Sequence, residues 1–495
     1  MKKNIKLLAL IALGLAACEP EFDREVSDSG FYSAGDADFS NYVAVGNSLT
    51  AGYADNALYV QGQRNSYPNM MAEQFAHAGG GTFTQPLVDD NFGGLLLNGT
   101  QIADTRMILE FDADGNPSPV NLDETPTTEI TNTLEGPFNN MGVPGAKIFH
   151  LAAEGYGNVA GVGSTANPYF VRFASSAGTS VIADAAAQNP TFFTLWIGNN
   201  DILAFATSGG VGEDQAGNIN PATYGSNDIT DPNVFASVYN SLLTALTANG
   251  AKGAVANIPD VTSIPYFTTV PYAPIPMDQA TADQVNQGYA EYNQALSLFV
   301  FLGAIDQEEA QRRTINFQAS TNNPAVIEDE DLTPLQNPLT GEDIPNLRQT
   351  TAEDLIVLTA SSFIGTTVGG DPTKVNGVSV PLGDQWVLTP EEQELVANAQ
   401  TQFNATIKGL ADQYGLAFVD ARAMLTQVAE TGIPYDGGML TSTYATGKAF
   451  SLDGVHPTAK GYAMIANAFI EAINQTYNST IPIVNPGTYP DVFVK

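Results

Sequence analysis

The stretch Asn41-Tyr42-Val43-Ala44-Val45-Gly46-Asn47-Ser48-Leu49-Thr50 predicts the first strand of the fold and the turn that follows it. Tyr42 to Val45 is a short apolar run of β-favouring residues, which indicates a buried strand. Gly46 ends this run, and Ser48 follows in a tight turn before a segment compatible with a helix. Open α/β sheets place their chemistry at the carboxyl ends of strands, so Ser48 is a candidate nucleophile. Gly-x-Ser turns are common, however, and most of them are only turns.

Helices and apolar strands alternate along the rest of the chain. Further buried strands are predicted at 191–197, 252–259 and 416–420, and helices at 66–77, 175–188, 234–248, 280–302, 390–414 and 458–477. Thr389 and Glu392 form a capping box for one of these helices, and Leu395, Ala399 and Phe403 begin its apolar stripe. The alternation predicts an α/β fold in three layers, with a mostly parallel sheet covered by helices on both faces.

Two long insertions interrupt this α/β pattern, near 79–136 and near 306–386. The first contains a hairpin-like piece, 106–111, that leads into an Asp- and Gly-containing segment at 112–116. The spacing of its acidic residues does not fit an EF-hand calcium loop, so a simple turn is the favoured interpretation. Insertions of this length inside a compact domain are usually functional or mobile.

The composition is that of a globular, strongly acidic protein. Of 495 residues, 43% are hydrophobic, which is ample for a large core and excludes a disordered chain. Lysine and arginine number 18 against 53 acidic residues, for a net charge of −35. A field of that sign repels nucleic acid and anionic membrane surfaces, so neither is expected as a partner.

The N-terminus has the pattern of a targeting segment. Lys2, Lys3 and Lys6 precede an apolar run, 7–17, that is too short to span a bilayer. The run ends in Leu15-Ala16-Ala17-Cys18, which resembles a bacterial lipobox, and Cys18 is the only cysteine of the chain. The resemblance implies that residues 1–17 are a lipoprotein signal peptide and that Cys18 becomes the lipidated N-terminus. The alternative is an ordinary secretory signal with a chance cysteine.

The resulting domain division is a signal peptide at 1–17, an acidic tether at 18–40, a catalytic-type domain at 41–480 and a tail at 481–495. The acidic cluster after Cys18 resembles the surface-export signals of Bacteroidetes-type lipoproteins, without matching one cleanly. The expected location is therefore the cell envelope, with a lipid anchor in the outer membrane and the domain either periplasmic or surface-exposed. With no second cysteine, no internal disulfide is possible in the mature chain.

Only three histidines can supply an imidazole base: His77, His150 and His456. His77 lies at a predicted helix end, and His150 sits in an apolar context typical of a partly buried packing residue. His456 follows Asp453 by three residues in a turn that contains Gly454. A carboxylate at that spacing can orient the ring and stabilise its protonated form, so His456 is the candidate base. The alternative for His456 is a hydrogen-bonded loop histidine.

Four separated segments, in order, resemble the sequence blocks of the SGNH (GDSL) hydrolase family. They are Gly46-Asn47-Ser48-Leu49, Asn140-Met141-Gly142-Val143-Pro144-Gly145-Ala146, Gly198-Asn199-Asn200-Asp201 and Asp453-Gly454-Val455-His456. Each block alone is a weak signal, but four in family order at predicted strand ends agree with the α/β pattern. The resemblance implies a flavodoxin-like sheet and a serine esterase or lipase.

The resemblance also assigns roles to individual residues. Ser48 would be the nucleophile, His456 the base and Asp453 the acid that orients it, while the oxyanion hole would combine the N–H groups of Ser48 and Gly145 with the side chain of Asn200. No cofactor and no metal is implied. The substrate class stays open among short-chain acyl esters, O-acetylated glycans and lipid esters.

One position departs from the family pattern, because Asn47 stands where the family usually has aspartate. Asparagine is nearly isosteric and still forms hydrogen bonds, but it carries no charge. The departure leaves open a second interpretation: a catalytically weak envelope lipoprotein that binds glycan or lipid in the same cleft.

Overall fold

A computed structural model describes residues 31–111, 115 and 117–493. The predicted signal peptide, the lipidation site Cys18, the first part of the tether and most of the predicted turn at 112–116 lie outside the described residues.

The core of the molecule is a five-stranded parallel sheet. Its strands are β1 Tyr42–Gly46, β2 Asn140–Gly142, β3 Phe192–Trp196, β4 Lys252–Ala256 and β5 Ala417–Val419. They are arranged in the order β5-β4-β3-β1-β2, and every neighbouring pair is parallel. This is the flavodoxin-like strand order, whose switch point lies between β1 and β3. The predicted α/β class and flavodoxin-like sheet are therefore confirmed.

Helices follow the strands along the chain and cover the sheet. The longer ones, and the short helix at the β1 turn, are α1 Ser48–Ala51, α2 Tyr67–Phe75, α3 Val181–Ala187, α4 Asn200–Thr207, α5 Pro232–Thr247, α6 Gln279–Leu302, α7 Pro390–Tyr414, α8 Ala421–Glu430 and α9 Ala459–Tyr477. Additional short helices span Val60–Arg64, Pro168–Val171, Pro265–Thr268 and Gln307–Arg313.

The side chains of each strand alternate between two apolar layers. Tyr42 and Ala44 pack with residues of α2 and α9 on one face of the sheet. Val43 and Val45 point to the other face, where α3, α5 and α7 contribute the core. Because successive strand residues point to opposite faces, both faces of β1 must be apolar, which explains its uninterrupted apolar sequence. The result is the predicted three-layer α/β/α architecture.

Helix α7 forms as its sequence signals predict. The Thr389 side chain accepts the Glu392 N–H, the Glu392 carboxylate accepts the Thr389 N–H, and Pro390 occupies the first turn. Gly415 ends the helix in the left-handed conformation. The apolar stripe is displaced by one residue at its start, because Val396 is buried whereas Leu395 is exposed.

Both predicted insertions are built mainly from short antiparallel pairs outside the central sheet. In the first, Leu95–Leu97 pairs with Thr100–Ala103 and Met107–Phe111 with Pro117–Asn121, which confirms the predicted hairpin. The pairs that involve the second are Ile275–Met277 with Ser320–Asn323, Val326–Glu328 with Leu347–Gln349, Leu335–Gln336 with Asp343–Ile344, and Leu355–Ile356 with Val387–Leu388. A further hairpin joins Ile433–Tyr435 to Gly438–Leu440.

The two ends of the described chain lie against the same helices. The Asp36 N–H donates to the carbonyl of Tyr477 at 2.7 Å, and Phe39 stacks on Phe75 with ring centroids 4.1 Å apart. Ile481 and Val484 are buried beside α9. None of the helices in the described part of the chain combines the length and apolar character needed to cross a bilayer.

Candidate active site

The turn after β1 depends on a glycine and on an asparagine cap. A Cβ atom at Gly46 would lie 2.2 Å from the Thr50 Oγ1 and 2.4 Å from the Trp196 carbonyl oxygen, so no larger residue fits there. Asn47 caps helix α1, because its side-chain oxygen accepts the Leu49 N–H at 3.0 Å. Ser48 is the first residue of α1 and therefore stands at the carboxyl end of β1.

The structure brings together the three residues that the sequence selects for catalysis. The Ser48 Oγ lies 2.8 Å from the His456 Nε2, and the His456 Nδ1 lies 2.9 Å from the Asp453 Oδ2. With Nδ1–H donating to the carboxylate, Nε2 is left to accept the serine proton. The Tyr53 ring packs beside the imidazole at a centroid distance of 4.7 Å. A residue 408 positions away along the chain is thereby placed at the Ser48 turn.

The Asp453 carboxylate is held ionised by the donors around it. Its Oδ1 accepts the backbone N–H groups of Val455 and His456, both at 2.8 Å, and its Oδ2 accepts the Asn56 N–H at 2.9 Å. Burial by itself raises the pKa of Asp453, but the charge of His456 and these hydrogen bonds outweigh it and lower the pKa to about 2. The group is therefore a permanent anion that orients the imidazole.

A second buried acid, Asp55, hydrogen-bonds to the loop that contains Asp453. The sequence analysis did not identify Asp55 as a site residue. It accepts the Tyr59 hydroxyl at 2.9 Å and the Leu452 N–H at 3.1 Å, and its own N–H donates to the Ser451 Oγ at 2.9 Å. Burial raises the pKa of Asp55 to about 6. Asp55 and Asn56 both have positive φ, 53° and 61°, a conformation that Asp and Asn tolerate better than most residues. That turn chemistry was the only signal in the sequence.

The candidate oxyanion-hole residues come from the ends of neighbouring strands. Gly46 pairs in register with Gly142 of β2 and with Trp196 of β3, so the loops after these strands begin side by side. Gly145 lies in the loop after β2 with a φ of +79° and is exposed. Asn200 is the first residue of α4, and its Nδ2 donates to the Ala146 carbonyl at 2.9 Å, which leaves its second N–H for another acceptor.

Asp201 connects the loop after β2 to the start of α4. The sequence analysis did not predict this supporting role. Its carboxylate is fully buried and accepts the Ile148 N–H at 2.9 Å and the Thr230 hydroxyl at 2.7 Å. Burial raises the pKa of Asp201 to about 6, against the lowering effect of those bonds and of Lys147. Through these contacts, the loop that contains Gly145 is fixed relative to Asn200.

The other two histidines lie outside this arrangement. His150 is partly buried, stacks on Tyr156 at a centroid distance of 4.8 Å, and accepts the Lys147 N–H on its Nδ1. Burial and the Lys147 charge lower the pKa of His150 to about 4, as expected of a packing residue. His77 is exposed at the end of the segment that follows α2.

Two spaces open beside the histidine. An apolar cavity of about 850 Å³, counted with its opening to solvent, is lined by Ser48, Asn200 and His456 together with residues such as Met424, Leu425 and Val428 of α8. A wider groove of about 2200 Å³, again counted with its opening, borders Asp453 and His456. Leu203, Val455 and His456 line both spaces.

Among the described residues, one group of acidic side chains has the spacing to hold a cation. Carboxylate oxygens of Glu330, Asp384 and Glu392 lie within 4.8 Å of one another. None of these three side chains belongs to the Ser48 site or lines either space beside it.

No protein-family model and no curated protein matches this chain. Among solved structures, it is similar to variants of Axe2, an acetyl-xylooligosaccharide esterase from Geobacillus stearothermophilus, at 10% identity and a TM-score of 0.30, with 89% of this chain and 96% of the first such chain covered. It is also similar to an extracellular lipase from Streptomyces rimosus, at 10% identity and a TM-score of 0.29, with coverages of 88% and 99%. Similarities this low carry no argument about function.

Proposed function

We propose that the protein is a serine esterase of the SGNH type. The observation that carries the proposal is the unbroken hydrogen-bonded chain from the Ser48 Oγ through the His456 imidazole to the ionised Asp453 carboxylate, with distances of 2.8 and 2.9 Å. A serine hydroxyl is a weak nucleophile unless a base removes its proton, and this chain supplies that base together with the acid that orients it.

The reaction runs in two halves. The Ser48 Oγ attacks the ester carbonyl carbon while its proton passes to the His456 Nε2, and the C–O bond to the alcohol then breaks as His456 returns that proton to the leaving oxygen. A water molecule next enters beside His456, gives up its proton to Nε2 and attacks the acyl-enzyme. The bond to Ser48 breaks, the serine regains its proton, and a carboxylic acid is released.

The charge that develops on the carbonyl oxygen needs donors that are already in place. Within the described residues, the N–H groups of Ser48 and Gly145 have no backbone or side-chain acceptor, so both are free for an oxyanion. Asn200 offers the second N–H of its amide from the start of α4. One such preorganised donor contributes about 3 kcal/mol to transition-state stabilisation. The contacts of Asp201 and Ala146 keep these donors from rearranging.

Membership of the SGNH family is supported by the positions of the four sequence blocks in the fold. The first begins at the last residue of β1, the second contains β2 and the third follows β3, and these strands are adjacent in the sheet order β3-β1-β2. The fourth returns from the loop before α9 to contact the first through Ser48 and His456. Segments that are far apart in sequence thus converge on one edge of a flavodoxin-like sheet, as the resemblance implies.

The direct test is covalent labelling of the purified protein with a fluorophosphonate probe, together with turnover of p-nitrophenyl esters. We expect one label per chain at Ser48, loss of both label and turnover in Ser48→Ala, and retention of both in the control Ser241→Ala, an exposed serine on α5. A protein that turns over no ester and takes no label would instead be the binding lipoprotein that Asn47 leaves open.

We further propose that the domain is anchored to the outer membrane by lipid at Cys18. The lipobox-like run and the absence of any other cysteine support the anchor. One acyl chain gives only marginal binding, so the mature N-terminus needs at least two. Cys18→Ser should release the protein from the membrane fraction or block its maturation. Unchanged fractionation and an unchanged mass of the mature chain would contradict the anchor.

A further inference from the structure

The two spaces beside His456 differ in what lines them. The apolar cavity is bounded, away from the catalytic end, almost entirely by hydrocarbon side chains, among them Ile264, Met424, Leu425, Val428, Phe450 and Met464. Such a lining favours an apolar group that leaves water on entry. The apolar lining is shared among many side chains, so an acetyl ester would leave most of this surface without contacts.

The groove is more polar than the cavity, although apolar side chains such as Val270, Leu358 and Ile364 line it as well. Hydroxyl and amide groups are spread along it, including those of Tyr266, Thr269, Asn322, Thr359, Ser361 and Ser362. Many of its lining residues come from the two insertions, with Ser118 in the first and Asn322 and Ser362 in the second. No lysine or arginine is among the described residues that line it, so nothing there pairs with a phosphate. A neutral partner rich in hydroxyl groups fits this surface.

The order of the catalytic groups decides which half of an ester occupies which space. The His456 Nε2 must protonate the departing alcohol oxygen, so that oxygen lies beside Nε2, at the histidine that lines both spaces. Ser48 and Asn200, which bind the carbonyl carbon and oxygen, line the apolar cavity but not the groove. The acyl chain therefore extends into the cavity, and the alcohol extends along the groove.

On this geometry, and resting on the proposed esterase function, we propose that the substrate is an ester of an apolar acyl chain longer than acetyl with an uncharged, hydroxyl-rich alcohol, that is, an acylated carbohydrate. The net charge of −35 adds to the preference for an uncharged alcohol, because it repels anionic headgroups. The insertions then act as the alcohol-binding part of the enzyme, and the cavity beside α8 as the acyl-binding part.

The acyl half is tested with p-nitrophenyl acetate and p-nitrophenyl octanoate. We expect the wild type to have a kcat/KM for octanoate at least tenfold above that for acetate. Leu425→Phe fills the cavity and should lower the octanoate-to-acetate ratio at least tenfold, whereas the exposed control Leu298→Phe on α6 should not change it. A wild type that prefers acetate overturns the acyl assignment, and this measurement stands even if Leu425→Phe fails to fold.

The alcohol half is tested with octanoyl esters of methanol, glucose and glycerophosphocholine. We expect the glucose ester to have the highest kcat/KM, at least tenfold above the methyl ester. Ser362→Trp, which obstructs the groove, should remove that advantage, and the exposed control Ser241→Trp should keep it. A preference for the phospholipid, or equal rates for all three, overturns the alcohol assignment.

Labelling and turnover of the purified wild-type protein distinguish a failure of the substrate assignment from a failure of the esterase function. If Ser48 takes the fluorophosphonate label and esters turn over without the expected preferences, the substrate assignment is wrong while the esterase function stands. If there is neither label nor turnover, the esterase function itself fails.

Discussion

Two buried carboxyl groups in this protein, Asp453 and Glu392, have pKa values shifted in opposite directions. Burial acts to raise the pKa of both. In Asp453 the charge of His456 and several N–H donors reverse that effect, and its pKa falls to about 2. In Glu392 burial dominates, the nearby charge of Asp384 adds to it, and the pKa of the carboxyl lies far above its ordinary value. Because both carboxyl groups are buried, burial does not explain the difference between their pKa values. The neighbouring charges and hydrogen-bond donors explain it.

The hydrogen bonds show the physical basis of that difference. Both oxygens of Asp453 accept hydrogen bonds, three of them from backbone N–H groups. Glu392 accepts the Thr389 N–H on its Oε2, but its Oε1 is buried without a partner in the described structure. Asp453 belongs to the site that needs a fixed anion. Glu392 caps a helix, where a neutral carboxyl serves as well because the cap needs only an acceptor.

The largest predicted effect tests whether His456 is the base that Asp453 serves. Ser48→Ala and His456→Ala should each lower kcat/KM on a p-nitrophenyl ester by roughly 10⁴-fold or more, and the double variant should be little worse than either, because the residues act as a unit. His77→Ala, an exposed histidine, is the control and should keep full activity. Loss of activity in His77→Ala with retention in His456→Ala would show that the base is assigned wrongly.

The next effect compares the two carboxyl groups directly through isosteric, uncharged replacements. Asp453→Asn should lower kcat by on the order of 10³- to 10⁴-fold, because a neutral amide no longer holds the imidazole in the tautomer that accepts the serine proton. Glu392→Gln makes the same replacement of a carboxylate by an amide outside the site, so it should leave kcat unchanged. The measurement is kcat for both variants at pH 7.5, with folding checked by circular dichroism. Equal activities would mean that the Asp453 charge has no role in turnover.

The third effect is on stability, and it is confined to Glu392. A carboxyl whose pKa is raised in the folded state adds stability that is fully present below its unfolded value, 4.5, and is lost as pH rises toward the folded value. The groups that face it or its neighbour Asp384 are Glu330, Asp331 and Asp329, with Arg312 as the nearby cation.

Glu392→Gln removes that titration. The variant should therefore unfold with a free energy larger than wild type by on the order of 1 to 3 kcal/mol at pH 8, the range for relieving an unpaired buried group. At pH 5, close to the unfolded value of 4.5, little of that stability has been lost, so most of the difference should disappear. Urea unfolding of both proteins at the two pH values measures this. A difference that is the same at pH 5 and pH 8 would show that Glu392 does not titrate as its burial implies.

The sequence predicted the layers of this fold better than its details. Strands β1, β3 and β4 were found because they are continuous apolar runs, and α7 because its capping box and Gly415 mark both ends. Strand β2 has only three residues, and α4 begins directly at the Gly-Asn-Asn-Asp block, so neither produces a periodic signal of its own. Leu395 was misplaced because a helical stripe allows either of two adjacent residues at its start.

The candidate site was predictable to the extent that it resembles known motifs. Ser48, Asp453 and His456 lie together as the sequence predicts, while their catalytic roles, and those of Gly145 and Asn200, stay predictions until activity is measured. Asp55 left no such signal, and Asp201, although it ends the Gly198-Asn199-Asn200-Asp201 block, was not recognised from the sequence as support for the neighbouring loop. Their partners, Leu452 and Ile148, are backbone N–H groups, and a backbone donor has no sequence identity that a motif can record.

The smallest predicted effect concerns Asn47, the one position that departs from the family pattern. Its Oδ1 accepts the Leu49 N–H at 3.0 Å, which an aspartate would do equally well. Its Nδ2 makes only a long contact, 3.4 Å, with the Asn199 Oδ1, and Asn199 can turn its own amide to donate to a carboxylate instead. Because Asp453 already supplies the acid of the site, the charge at position 47 is dispensable.

Asn47→Asp should therefore fold normally and change kcat/KM on a short-chain ester by less than about tenfold, or roughly 1.4 kcal/mol. Asn47→Leu is the matched contrast, since it has a similar size but leaves the buried cap of α1 without an acceptor, and it should cost more than tenfold. If the wild type is inert and Asn47→Asp is active, then the natural protein has lost catalysis at this residue. In that case the intact Ser48–His456–Asp453 geometry would belong to a binding cleft, and the glycan- or lipid-binding lipoprotein would replace the esterase.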